Sequence, residues 1–259
     1  MPVRCANRTM AVRLASAVSL LEVDPDLVEN LDPRQVAAAR SRAIARATTL
    51  HPGERDPWSF IDIPNGHLGL LVVDGLLTRN MTLLGRTTME LIGGGDVLRP
   101  WDDATETPSI PWTIGWTVHV PTRVALLDEH LAERVAAWPG IATALVKRSI
   151  QRAQWVEHHL AILENPRVDV RLLLLFWQLA DRWGTVGPHG VTVPLRLTHK
   201  TLGRLVRAQR PSITASLHAM SGRGLLDRRR DGTWLLHGDP SRQLRLLLDE
   251  KSPPAPPPR

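Results

Sequence analysis

The chain has 259 residues, of which 43% are hydrophobic, and it carries 32 Lys or Arg against 26 Asp or Glu, a formal net charge of +6. This length suits two domains, and this hydrophobic content is ordinary for a globular protein, so a wholly disordered chain is excluded. A single cysteine, Cys5, excludes an internal disulfide framework and a four-thiolate iron–sulfur cluster. The positive charge favours a polyanionic partner.

We expect neither a membrane-spanning segment nor a secretory signal in this chain. No run approaches about eighteen apolar residues, and Arg4, Arg8 and Arg13 interrupt the N-terminus, which lacks a secretory hydrophobic region. We therefore expect a cytoplasmic protein with no membrane partner. Residues 241–259 are predicted to form a C-terminal tail whose proline-rich end, Ser252–Arg259, is disordered.

Residues 50–128 show short apolar runs separated by turn residues, the pattern of an antiparallel β-roll or jelly roll. Asp74-Gly75, between two apolar runs, is interpreted as a hairpin turn. The remaining strands are expected at residues 89–92, 97–98, 113–120 and 124–127. No set of residues in this segment has the spacing of a metal motif or of a nucleophile with its base, so we predict neither a metal site nor a catalytic site.

Residues 129–165 have a helical pattern, with Pro139-Gly140 separating a short helix from a longer one. Apolar residues of the longer helix recur at spacings of 4, 3, 3, 4 and 3, namely Val146, Ile150, Ala153, Val156, Leu160 and Leu163. This stripe is typical of a coiled-coil seam and predicts a dimerisation helix. The alternative is that it packs only on the β-roll of its own chain.

Residues 166–240 carry the pattern of a winged helix-turn-helix. Thr198 is a candidate N-cap for the first helix, and the second begins near Pro211, because proline is tolerated in a first helical turn. The inward-facing residues of the two helices are predicted from their spacing to be Leu202, Leu205, Val206, Ile213, Leu217 and Met220. An ordinary amphipathic helix pair is the alternative.

A β-hairpin, the wing, is predicted after the second helix, because Asp231-Gly232 is a strong signal for a two-residue turn. This places Arg228, Arg229 and Arg230 at the wing tip. From Thr198 to Lys251 there are eleven Lys or Arg against five Asp or Glu, so the whole net charge can be assigned to this end of the chain. A merely solvated arginine cluster is the alternative, which its adjacency to the helix pair disfavours.

The order of these parts resembles the Crp/Fnr superfamily of bacterial transcription regulators. Those proteins carry an N-terminal cyclic-nucleotide-binding-type β-roll, a long dimerisation helix and a C-terminal winged helix-turn-helix. The resemblance is specific over LTHKTLGRLVRAQRPSITASLHAMSGRGLLDRRRDGTWLLHG and looser over LGLLVVDGLLTRNMTLLGRTTMELIGGGDVLRPW. It implies an α+β fold with an N-terminal extension (1–49), a roll (50–128), a dimerisation helix (129–165), a winged helix-turn-helix (166–240) and a tail (241–259).

The resemblance also implies which residues contact double-stranded DNA. In the cyclic-AMP receptor members, the recognition helix presents Arg, Glu and Arg to the bases, and these places fall here at Arg210, Pro211 and Ala215, so only the first is retained. Arg210 can contact guanine, whereas the wing arginines are expected on phosphates. The full predicted set is Lys200, Arg207, Gln209, Arg210, Ser212, Thr214, His218, Arg228, Arg229 and Arg230.

The effector site is predicted to be degenerate. Cyclic-nucleotide-binding relatives follow a Gly-Asp turn with a ribose-binding Glu and a phosphate-binding Arg, but here Gly95-Asp96 is followed by VLRPW, and IPWTI stands where the Arg should be. We therefore expect cyclic AMP not to bind. Arg99, Trp101, Trp112 and Trp116 are candidates for another effector pocket, with core packing as the alternative for the tryptophans.

Haem is not expected either, although some relatives bind it. The candidate ligands Cys5, His51, His67 and His119 are isolated residues of a kind that more often lies on the surface, so we predict no cofactor. The sequence predicts a homodimeric transcription regulator, not an enzyme, that binds a pseudo-palindromic operator. RNA polymerase is a candidate second partner, and the small-molecule effector is unidentified. The alternative is a ligand-binding or protein-interaction module whose winged helix contacts proteins.

Overall fold

The structure, a computed structural model, describes residues 16–55, 68–105 and 109–249. Predictions that concern Cys5, His67 and the tail residues 252–259 lie outside this part of the chain. The fold class is α+β, as predicted. The chain divides into two compact units, Met1–Gln154 and Trp155–Arg259. None of the helices in the described ranges is long and apolar enough to cross a membrane.

The first unit is built on a seven-stranded sheet in which every pairing is antiparallel. Its strands are β1 Ser16–Ser19, β2 Ile44–Leu50, β3 Gly53–Arg55, β4 Gly69–Leu83, β5 Arg86–Gly93, β6 Val97–Leu98 and β7 Trp112–Leu127. The order is β1-β2-β7-β4-β5, with β3 also on β7 and β6 also on β4. The predicted antiparallel β-roll is confirmed. Its sheet includes strands N-terminal to residue 50, within the segment expected to be an extension.

The hairpin predicted at Asp74-Gly75 is wrong. Strand β4 continues through these residues with a bulge, where its register against β7 shifts. Gly75 has φ +108, a Cβ there would collide with Thr122, and the N–H of Leu76 donates to Thr122 Oγ1 at 3.1 Å. The chain reverses instead at Leu84-Gly85, where both residues have positive φ (49° and 74°), between the paired residues 83 and 86.

The helices of the first unit contribute buried apolar residues to the same clusters as this sheet. They are α1 Leu20–Val23, a 3-10 turn Pro25–Val28, α2 Val36–Arg42, α3 Pro100–Thr105, α4 Glu129–Val135 and α5 Pro139–Leu163. Asp128 caps α4 by accepting from the Leu131 N–H at 2.9 Å, and it pairs with Arg46 at 2.6 Å. Among the described residues of this unit, one apolar cluster lies around Leu71 and Ile141 and another around Leu77 and Trp116. The division into units falls within α5.

The second unit is a helix-turn-helix with a small sheet. Its elements are α6 Val168–Trp183, β8 Thr185–Gly187, β9 Gly190–Val193, α7 His199–Leu205, α8 Arg210–Gly222, β10 Leu226–Arg228, β11 Trp234–Leu236 and α9 Pro240–Asp249. The sheet order is β10-β11-β9-β8, all antiparallel. Phe176 of α6 packs on Trp234 of β11, with ring centroids 4.9 Å apart. The β8–β9 hairpin was not predicted.

The predicted tail begins as a helix, which corrects the expected boundary at residue 241. Gln243 is buried, accepts from the Trp177 indole N–H at 2.8 Å and donates to the Leu225 carbonyl at 2.8 Å. Leu247, one turn later, is also buried. Helix α9 is therefore part of the second unit as far as Asp249. Its burial depends on contacts with α6, which the local sequence does not reveal.

Candidate nucleic-acid interface and effector cavity

The helix-turn-helix core follows the predicted pattern. Thr198 caps α7 by accepting a hydrogen bond from the Thr201 N–H at 3.1 Å, which confirms the predicted N-cap. All six residues expected to face inward are buried: Leu202, Leu205, Val206, Ile213, Leu217 and Met220. The opposite face of α8 is therefore the one that can meet a partner.

The turn between α7 and α8 is tight. The N–H of Ala208 donates to the Gly203 carbonyl at 2.8 Å, and a Cβ on Gly203 would lie 2.7 Å from the Ala208 oxygen, so this approach requires glycine. Arg207 in the same turn has φ +52, the left-handed region that costs a non-glycine residue about 1–2 kcal/mol. The turn therefore holds an exposed basic side chain between α7 and α8 on a strained backbone.

We predict that Arg207→Gly stabilises the protein by about 0.5–1 kcal/mol, because relief of the left-handed strain exceeds the extra backbone entropy of glycine. The same change should weaken DNA binding through the loss of one basic group per subunit. Thermal unfolding and a DNA titration measure the two effects separately. The matched control is Arg204→Gly, a helical and exposed position in α7, which should destabilise by about 1 kcal/mol. A destabilised Arg207→Gly protein would contradict the strain argument.

All ten predicted DNA contacts are exposed side chains of the second unit. Gln209 is the N-cap residue of α8 but makes no capping hydrogen bond, and Arg210 is the first residue of that helix. Ser212, Thr214 and His218 follow on its exposed face. The first turn of α8 thus presents the positive end of a helix dipole next to a basic side chain.

The wing differs from the prediction at its tip. Arg228 pairs with Trp234, so residues 229–233 connect the strands instead of a two-residue turn. The Asp231 carboxylate accepts from the Thr233 N–H at 2.9 Å, and the Gly232 N–H donates to the Arg229 carbonyl at 3.0 Å. These side-chain and backbone bonds close a longer loop, which explains why Asp231-Gly232 alone does not form the turn.

The three wing arginines are not equivalent. Arg228 lies over the Trp234 ring, with its guanidinium carbon 5.6 Å from the ring centroid. Arg229 donates to Thr192 Oγ1 at 3.4 Å. Arg230 makes no hydrogen bond or ion pair with another residue in the described ranges. Arg228 is therefore partly structural, whereas Arg229 and Arg230 are suited to contact a partner.

Sequence reasoning missed one residue of this surface. His199 is the first residue of α7, is half-buried, and has Nδ1 3.0 Å from Thr214 Oγ1 on α8. Burial lowers the pKa of His199, and the positive charges of Arg228 and Arg210 lower it further. The sequence did contain a signal for His199. It directly follows the Thr198 cap and is therefore the first residue of α7, the helix that packs against the recognition helix.

Of the four candidate effector residues, the structure places two around one cavity. A cavity of about 400 Å³ in the first unit is lined by both Arg99 and Trp116. Trp101 is buried in the apolar cluster that contains Trp116, and its ring centroid lies 5.6 Å from the Arg99 guanidinium. Trp112 lies at the start of β7, paired with Leu83, and does not line the cavity.

The arginines of this cavity are paired with carboxylates. Arg79 binds Asp103, Arg99 binds Asp102 and Arg152 binds Glu90, each through two hydrogen bonds whose shorter distance is 2.6 Å. A ligand phosphate would have to displace one of these carboxylates. Among the residues that the structure describes, there is no group of three His, Cys, Asp or Glu side chains placed to hold a metal ion.

Comparison with known proteins gives the fold. No protein-family model and no curated protein matches the sequence, but solved structures do. A CooA variant from Carboxydothermus hydrogenoformans matches at TM-score 0.57 and 16% identity, over 91% of this chain and 98% of that chain. FixK2 from Bradyrhizobium japonicum matches at TM-score 0.54 and 17% identity, over 78% and 96%. The chain has the Crp/Fnr fold.

A cyclic nucleotide-binding domain containing protein from Listeria monocytogenes EGD-e also matches, at TM-score 0.56 and 14% identity, over 73% of this chain and 87% of that chain.

The Gly95-Asp96 turn of this chain has a structural role, because its groups bond within the turn itself. Gly95 has φ +87, and the buried Asp96 carboxylate accepts from the Gly93 N–H at 2.9 Å. After β6 the chain enters α3 at Pro100 instead of presenting a glutamate.

We expect cyclic AMP and cyclic GMP to produce no saturable heat in calorimetric titrations at up to about 1 mM. The physical reason is that Arg79 and Arg99 are already neutralised by Asp103 and Asp102, so a buried cyclic phosphate would lack a free cationic partner. Asp102→Asn is the matched comparison, because it releases Arg99 without changing side-chain size. A micromolar dissociation constant for the unaltered protein would contradict the prediction and implicate Arg99.

Proposed function

We propose that this protein is a sequence-specific transcription regulator of the Crp/Fnr type, that it binds double-stranded DNA as a homodimer, and that it is not an enzyme. The observation that carries the proposal is the division of α8 into two faces. Ile213, Leu217 and Met220 are buried, whereas Arg210 and the polar residues of the other face are exposed. An α-helix fits the major groove, and its N-terminal side chains reach base edges there.

The charges around α8 support the same proposal. Lys200, Arg207, Arg229 and Arg230 are exposed and basic, and they flank the helix from α7, the interhelical turn and the wing. Basic groups on both sides of a groove-reading helix suit the two phosphate backbones that border a major groove. In this arrangement Arg210 reads a base and the flanking groups position the domain.

Dimerisation is supported by the exposed stripe of α5. Val146, Ile150 and Leu160 are 53%, 55% and 51% exposed, an unusual state for apolar residues at coiled-coil spacing. A second copy of α5 across a two-fold axis would cover them. The operator is then a pseudo-palindrome with half-sites about 34–36 Å apart.

Two further partners belong to this proposal. The cavity that contains Arg99 and Trp116 is the proposed effector site, and its ligand is a small molecule other than a cyclic nucleotide. RNA polymerase is the proposed macromolecular partner on the promoter, because a regulator of this type acts by changing transcription. Neither partner is needed for the test of DNA binding.

Selection from a library of random duplexes tests the proposal. Full-length protein should enrich a pseudo-palindromic sequence, and the logarithm of its affinity should fall linearly with the logarithm of salt concentration. A scrambled duplex should bind at least about a thousandfold more weakly at physiological salt. Failure to enrich any sequence, together with no salt-dependent duplex binding, would favour the alternative of a protein-interaction module with a winged helix.

A further inference from the structure

His199 is hydrogen-bonded through its Nδ1 atom to the hydroxyl of Thr214. Its Nδ1 lies 3.0 Å from Thr214 Oγ1, and that hydroxyl in turn donates to the Arg210 carbonyl at 3.1 Å. A hydroxyl has a single proton. When Thr214 donates its proton to the Arg210 carbonyl, its oxygen accepts from His199, and Nδ1 then carries the ring proton.

This assignment determines what the other nitrogen presents. In a neutral imidazole with its proton on Nδ1, Nε2 has a lone pair and accepts hydrogen bonds. Within the ranges that the structure describes, no hydrogen bond joins Nε2 of His199 to another residue. Phosphate oxygens also only accept, so neutral His199 has nothing to donate to a phosphate. An imidazolium has N–H groups on both nitrogens and does.

Positive charges near His199 disfavour its protonated form, so a negatively charged ligand that offsets them would favour protonation. Arg210 of α8 and Arg228 of β10 are the positive groups that act on it from neighbouring elements, and Lys200 follows it in α7. Together with burial, Arg228 and Arg210 hold the pKa of His199 below its ordinary value of 6.5, so the ring is neutral at pH 7 in the free protein. A phosphate bound among these residues would offset the positive charges of the arginines and raise the pKa of His199.

We infer that His199 is a phosphate-contacting residue that takes up a proton when DNA binds, so that the affinity for DNA is linked to pH. This inference rests on the proposed DNA-binding function. The proton goes to Nε2, which then donates to a backbone phosphate oxygen while Nδ1–H keeps its bond to Thr214. Thr214, in turn, is a positioning residue for His199, since its hydroxyl proton is engaged by Arg210.

The direction of the pH effect follows from the two states. In the free protein the pKa of His199 lies below 6.5, and in the complex the phosphate raises it. Below the free-state pKa the ring is already protonated and affinity is level. From there upward, through the higher pKa of the complex, affinity falls by up to about tenfold per pH unit for each subunit that takes up one proton.

The experiment measures binding of the full-length protein to its selected duplex between about pH 5.5 and 8.5 at constant salt. Calorimetry in two buffers of different ionisation enthalpy counts the protons taken up. We expect about one proton per subunit near pH 7, and a matching negative slope of affinity with pH. NMR of ¹⁵N-labelled imidazole should show His199 as the Nδ1–H tautomer in free protein and as the imidazolium in the complex.

His199→Gln is the decisive variant, because its amide N–H₂ can reach the phosphate and cannot titrate. It should bind DNA with a pH slope smaller by up to one unit per subunit and with correspondingly less proton uptake. His189→Gln, which removes an exposed histidine of the second unit that is not among the predicted DNA contacts, is the matched control and should keep the slope. An unchanged slope in His199→Gln, or a slope lost in His189→Gln instead, would overturn the inference.

The two proposals fail in different ways. Duplex binding that is salt-dependent but independent of pH, with no proton uptake, overturns the role of His199 and leaves the DNA-binding function standing. Absence of duplex binding at every pH overturns both. Proton uptake in wild type that disappears in His199→Gln, with DNA binding retained, supports both.

Discussion

Replacing Ile150 by glutamate is expected to convert the proposed homodimer into monomers. Ile150 is 55% exposed in the single chain, so a charge there does not disturb the fold of the subunit. In a paired α5 the same position would be buried, and an unpaired buried charge costs several kcal/mol. The monomer loses the second half-site, which should weaken operator binding by roughly 100-fold or more.

Analytical ultracentrifugation measures the mass, and anisotropy with the selected duplex measures the affinity. Gln151→Glu is the matched control, because it adds the same charge to the next residue of α5, which is exposed and lies off the apolar stripe. Circular dichroism should show unchanged helix content for both variants. If the double variant Ile150→Glu, Leu160→Glu remained dimeric and fully active, the coiled-coil assignment of α5 would be wrong.

Arg210→Ala is expected to cost about 1–3 kcal/mol of operator binding and to relax specificity at one base pair in each half-site. Arg210 is exposed at the start of α8, where a guanidinium can make two hydrogen bonds to guanine. Pro211 and Ala215, also exposed, offer no side-chain hydrogen bond. Neighbouring base pairs must therefore be read by Ser212, by His218, by methyl contacts or through DNA shape.

The wing should behave differently in the same experiment. Arg229→Gln combined with Arg230→Gln is expected to weaken operator and scrambled duplexes alike, and to reduce the salt slope by about one unit per lost phosphate contact, counted over both subunits. Arg228 is left in place because it packs on Trp234. Loss of discrimination in the wing variant, with discrimination kept in Arg210→Ala, would reverse the assignment of base reader and phosphate contact.

Much of the second unit was predictable because its signals are local. The Thr198 cap, the tolerance of Pro211 in a first helical turn, and the spacing of Ile213, Leu217 and Met220 all act within a few residues of the backbone they shape. The break between the two helices was predicted at Pro139-Gly140, but it lies at residues 136–138, and Pro139 and Gly140 are the first two residues of α5. The folded structure keeps the helices that capping and periodicity predict, because the tertiary contacts bury the same apolar faces.

The turns of both units show where local signals are insufficient. Asp74-Gly75 and Leu84-Gly85 are both glycine-containing pairs, yet only the second reverses the chain. The first is held inside β4 by Thr122 of β7, a residue distant in sequence. The wing loop is closed by the Asp231 side chain, and α9 is retained by the burial of Gln243. For β4 and α9 the deciding partner comes from a different element, whereas the wing loop is closed by a bond between Asp231 and Thr233 of the same loop.

By itself, the sequence determined the order of roll, long helix and winged helix-turn-helix, and the exposed basic residues of the proposed DNA surface. It did so because hydrophobic periodicity and charge are properties of each segment. Only the tertiary structure decided that Arg79 and Arg99 are neutralised by carboxylates, and that His199 meets Thr214. Those pairings join side chains through space, and the spacing of residues along one chain does not specify which of them will meet.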